Sequence, residues 1–125
     1  ENRPSLDFAA YRLSCLYVKT GKDLKRAMDF AQQAWLQDST NFLYKGLFGV
    51  IYYHKNDFKN AKMYLEQAVE SQQGYLDKDA AVNHYYLGLV YRELRLSVES
   101  KKQFKEYLQR APQGEYAQTV MKLMK

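Results

Sequence analysis

At 125 residues, with 46% hydrophobic and 26% charged side chains, the chain has the size and composition of one ordinary globular domain. Lys and Arg outnumber Asp and Glu by 19 to 14, and the resulting +5 is mild and spread along the chain, which argues against a nucleic-acid binder. One cysteine excludes an internal disulfide, and no apolar run approaches the roughly 18 residues that a membrane-crossing helix needs.

Arg3 to Leu36 is predicted to form the first pair of helices. Ser5 is placed to cap the first of them after Pro4. Leu6, Leu13, Leu16 and Tyr17 make its apolar stripe, broadened by Phe8 and Tyr11. Gly21 suits the left-handed residue after a helix end. The second helix starts near Asp23 and carries Leu24, Ala27, Phe30, Ala31 and Ala34. Asp38 to Asn41 is a break rich in capping residues.

The stretch from Tyr44 to Glu70 organises the rest. Tyr44, Leu47, Phe48, Ile51 and Tyr52 mark one helix face; Phe58, Ala61, Tyr64, Leu65 and Ala68 mark another, with Asp57 as N-cap between them. Gly46 and Gly49 inside the first of these helices each cost about 1 kcal/mol against alanine, so close approach of two helix backbones is expected there. Ser71 to Gly74 ends the pair. The link from Gly74 to Asp79 is irregular and reads as a tolerated surface insertion, since lengthening a loop costs little; fold-back of its apolar Tyr75 and Leu76 on neighbouring helices is the alternative. A third pair follows from Ala80 to Arg110, with Asp79 and Ser97 as caps and Tyr86, Leu87, Val90, Tyr91 and Leu94 as the stripe of its first helix. Gln113 to Lys125 reads as a seventh helix with Tyr116, Val120, Leu123 and Met124 on one side.

The order Gly49, Tyr52, Phe58, Ala61, Leu65, Ala68 resembles the tetratricopeptide repeat. Ala27 and Ala61 are 61 − 27 = 34 residues apart, the period of that family, and Pro112 stands where its closing proline does. Ala61 and Ser100 are 100 − 61 = 39 apart, because the second link is longer. The third repeat departs from the pattern: Ser97 replaces an aromatic residue, Ser100 the alanine and Tyr107 the last small residue. Its second helix is therefore expected to pack at a changed spacing. The resemblance implies an all-α, right-handed α-α superhelix, or solenoid, of three helix-turn-helix hairpins plus a seventh capping helix. Repeat 1 would span about 5–38, repeat 2 about 40–73, repeat 3 about 79–112 and the cap about 113–124.

Nothing in the sequence suggests catalysis. His54 and His84 lie on different repeats without a metal-ligand partner at helical spacing, Cys15 has no nearby histidine, and no glycine-rich phosphate loop follows a strand. No cofactor, metal or small-molecule substrate is expected. The resemblance instead implies a concave partner-binding groove on the first helices of the three pairs. Carried over by position, its lining is Phe8, Tyr11, Cys15 and Lys19; then Leu43, Leu47, Val50, Tyr53 and His54; then Val82, Tyr85, Tyr86, Leu89 and Arg92. Most are large and apolar, as a patch that meets a partner would be. The lysine–asparagine set with which some relatives clamp a terminal carboxylate is missing at Gly46 and Val50.

The expected function is a non-catalytic scaffold or adaptor that takes a helical or extended apolar segment of another protein. Self-association into a homo-oligomer is the alternative, and RNA binding is disfavoured. A cytoplasmic or periplasmic setting suits either reading, and the run Ala111 to Ala117 resembles bacterial envelope-assembly members.

Overall fold

Seven helices form the described chain in the computed structural model: α1 Leu6–Thr20, α2 Leu24–Gln37, α3 Phe42–His54, α4 Phe58–Ser71, α5 Lys78–Glu93, α6 Ser97–Arg110 and α7 Ala117–Leu123. The structure describes residues 6–21, 23–39, 41–72 and 78–125, and the side chains of these apart from 6–10, 37, 78 and 79. Among these residues there is no strand. The predicted caps Ser5 and Asp79, the side chain of Phe8, and Tyr75 and Leu76 of the second link lie outside what is described.

Local chemistry sets the helix ends. Asp23, Asn41 and Asp57 each accept a backbone N–H from the first turn of α2, α3 and α4, at 3.0, 2.9 and 3.2 Å from Arg26, Leu43 and Asn60. Each hairpin turn holds a left-handed residue: Gly21, Asn56 and Arg95, at φ 66°, 63° and 64°. The chain then closes back on the helix, with Asp57 N–H to Tyr52 C=O and Leu96 N–H to Tyr91 C=O. Ser97 does not cap α6. Leu96 holds that position without a side-chain hydrogen bond and packs its half-buried side chain on the core instead.

Small residues bring the two helices of each hairpin together. A Cβ on Gly49 would stand 2.5 Å from Leu65 Cγ and 3.2 Å from the Ala61 carbonyl, so α3 and α4 touch there. The first and third hairpins place a serine at the same contact, on opposite helices. Ser14 Oγ of α1 donates to the Ala27 carbonyl of α2 at 2.6 Å, and Ser100 Oγ of α6 donates to the Gly88 carbonyl of α5 at 2.8 Å. The contact in the third hairpin is therefore closed by a hydrogen bond rather than widened. Gly46 has another cause: a Cβ there would collide with the carboxamide of Asn83 on α5.

The first helices α1, α3 and α5 neighbour one another on the inner side, and α3 and α5 also pack on α2 and α4. Trp35 meets Phe48 edge-on between α2 and α3, and Tyr91 Oη of α5 donates to Glu66 of α4 at 2.6 Å. One apolar cluster runs from Val18 through Phe48, Ile51 and Leu65 to Leu87 and Val90. A second joins Ala81, Tyr85, Phe104 and Tyr107 to Ala117 and Val120 of the terminal helix.

Two further sequence expectations change. Leu13 and Leu16 do not belong to the core stripe of α1; they are 42% and 58% exposed, and among the described side chains of α1 Ser14 and Val18 are the buried ones. The terminal helix is shorter than expected: α7 occupies Ala117–Leu123, and turns fill 112–116. These turns bring Tyr116 back over the third hairpin.

Candidate functional site

Every first helix sends side chains into one cavity of about 200 Å³. From α1 come Tyr11, Cys15, Val18 and Lys19; from α3, Leu43, Leu47 and Val50; from α5, Val82, Asn83 and Tyr86. Glu115 and Tyr116 of the turns before α7 complete the wall. Helical spacing explains the set, because positions three and four apart share a face.

The tyrosines form one continuous assembly beside the cavity. Tyr116 stacks flat on Tyr85, with centroids 4.1 Å apart and planes at 4°, and Tyr86 stands edge-on to both Tyr85 and Tyr53. Tyr107 Oη accepts the Tyr116 N–H at 3.0 Å, which holds the turn in place. Burial, and then the neighbouring Tyr116 phenol, push the Tyr85 pKa up to about 12. Burial raises Tyr86 further, helped by its hydrogen bond to Tyr116. Both rings stay neutral at physiological pH, so this wall carries no charge.

Charge is confined to the rim. Lys19 Nζ of the first helix lies 3.3 Å from Glu115 Oε2 of the last segment, and both side chains are exposed. Such a pair contributes about 0–1 kcal/mol at most. The cavity's polar wall residue, Asn83, is engaged: its Nδ2 donates to Gln72 Oε1 at 2.8 Å, and Gln72 Nε2 donates to the Ala80 carbonyl at 2.8 Å. This buried amide chain ties the end of α4 to the start of α5. No histidine lines the cavity beside Cys15. Among the described residues no group of three or more His, Cys, Asp or Glu is placed to hold a metal ion, and no helix is long and apolar enough to cross a membrane.

The predicted lining divides in two. Tyr11, Cys15, Lys19, Leu43, Leu47, Val50, Val82 and Tyr86 surround the cavity. Tyr53 and His54 lie next to it with their rings against Tyr86, and burial lowers the His54 pKa. Tyr85 is behind the wall under Tyr116, and Leu89 packs on the second cluster. Arg92 is exposed in the last turn of α5. Sequence reasoning missed Val18, Asn83, Glu115 and Tyr116. Asn83 had a signal, since a glycine at 46 makes room for something large. Glu115 and Tyr116 reach the site through turns that helical periodicity does not register.

Residues 44–75 match the family model for the tetratricopeptide repeat. The chain carries a tetratricopeptide repeat. The match covers most of α3, all of α4 and the start of the second link, the stretch with the glycine–alanine contact. The N-terminal domain of stress-induced protein-1 (STI-1) from C. elegans has the same fold, with a TM-score of 0.68 at 20% identity over 95% of this chain and 94% of that chain. No curated protein shows a significant sequence match. With three hairpins on one plan, the all-α tetratricopeptide-repeat solenoid expected from the sequence is the architecture found.

Proposed function

We propose that the chain is a non-catalytic protein-interaction module, a scaffold or adaptor that receives an apolar segment of another protein on its inner face. One observation carries this reading: the first helices of all three hairpins contribute apolar side chains to a single cavity. A repeat array that only had to fold would leave polar residues there, because that face meets water. The tyrosine wall is neutral and the Asn83 amide is engaged by Gln72, which suits apolar contact with a partner.

The test is capture from source-cell extract by the native chain beside Leu43→Glu/Val82→Glu, both half-buried on the cavity wall. The reading expects a protein held by the native chain and lost from the variant, with helix content unchanged by circular dichroism. Equal retention by both would move the site elsewhere. Exposed Leu13 and Leu16 favour a second reading, self-association through α1. Mass measured by light scattering over a concentration series decides it: a constant monomer mass rejects self-association.

A further inference from the structure

The cavity is bounded where an open trough would run on. Glu115 and Tyr116 close one side, fixed by the Tyr116–Tyr85 stack, the bond to Tyr107 and the Lys19–Glu115 pair. What remains is about 200 Å³. A dry protein cavity of about 150 Å³ holds one benzene ring, and sites for drug-sized molecules start near 300 Å³. The space therefore matches one ring.

Its walls suit an uncharged ring. Tyr11, Tyr86 and Tyr116 offer aromatic faces and edges, and Leu47 and Val50 offer aliphatic surface. At the rim, Lys19 and Glu115 neutralise each other, so no net charge faces an incoming group. A docked helix would need anchors at successive turns, about 5.4 Å apart along a continuous trough. Among the described residues this cavity offers one such space, bounded on one side by the cap.

We propose that this cavity is an anchor pocket for one uncharged aromatic side chain, presented by an extended segment of the partner protein. The biological occupant rests on the groove reading above; the pocket itself can be tested without a partner.

Toluene and p-cresol are the probes, with benzoate and benzylammonium as charged counterparts. Alkylation of Cys15 by iodoacetamide reports occupancy, because Cys15 is the chain's one cysteine and lines the cavity. The neutral rings should slow alkylation several-fold and shift the backbone amide signals of Val50, Val82 and Tyr116. Val50→Phe, which fills the space, should abolish both effects. Val82→Phe serves if that variant fails to fold. Absence of protection in the folded native chain overturns the proposal, and so does equal protection by benzoate or benzylammonium. If Leu43→Glu/Val82→Glu releases the captured partner but folded Val50→Phe retains it, the anchor fails while the groove reading stands. If the rings bind but no variant affects capture, the groove reading falls and the partner's role with it.

Discussion

Two glycines three residues apart on α3 serve different neighbours. Gly49 lets α3 lie against Ala61 and Leu65 of α4, whereas Gly46 leaves room for Asn83 of α5. Gly49→Ala gains about 1 kcal/mol of helix propensity but forces a methyl into fully buried Leu65, and such overpacking costs about 1–3 kcal/mol. Net destabilisation is expected in urea denaturation. Gly46→Ala acts by displacing the Asn83 amide from Gln72, leaving buried polar groups unpaired at about 1–3 kcal/mol. The two causes separate in an Asn83→Ala background: the cost of Gly46→Ala should shrink there, while that of Gly49→Ala should not. Equal costs in both backgrounds would reject this division of roles.

Among the elements, α1 is the odd first helix. Counted from the small residues Ser14, Gly49 and Gly88, Leu13 and Leu16 correspond to Phe48 and Ile51 of α3 and to Leu87 and Val90 of α5. Those counterparts are buried, with Ile51 and Val90 at 0% exposure, because α2 and α4 precede and cover them. No described helix covers the outer face of α1. Ile51→Ala should therefore lose about 2–5 kcal/mol of stability, while Leu16→Ala stays within about 0.5 kcal/mol of native. Comparable losses in urea denaturation would show that the outer face of α1 is covered in solution.

At the scale of the whole molecule, pH acts through the joint between α5 and α6. His84 is buried, its Nδ1–H donating to Gln103 Oε1 at 2.7 Å, with Arg110 and Glu106 the charged groups acting on it. Burial holds its pKa below the ordinary 6.5. The unfolded imidazole takes up a proton where the folded one stays neutral, so the unfolded state binds more protons and stability falls as pH drops through 6.5. His54 is lowered in the same direction. The urea midpoint should fall between about pH 7.5 and 5.5 and fall less in His84→Asn, which keeps a donor but cannot titrate. Identical slopes would remove His84 as the cause.

Periodicity, small-residue placement and cap chemistry were enough to read the hairpins and the N-cap Asp57, and the resemblance to the repeat family pointed to eight of the side chains around the cavity. These are local or single-helix properties, set by which residues share a face and which can satisfy free backbone N–H groups. The exposure of Leu13 and Leu16 could not be read, since an apolar residue is buried only if another element covers it. Neither could the Gln72–Asn83 link, because polar residues enter a core only where their partners are already in place. The reach of Glu115 and Tyr116 into the cavity depends on the turn geometry of 112–116 and on the docking of Tyr107 and Tyr85. The sequence alone thus determined a three-hairpin helical solenoid with an apolar inner face. Only the tertiary structure decided that its own last segment closes this face into a pocket, because that closure arises from contacts between residues distant in the chain.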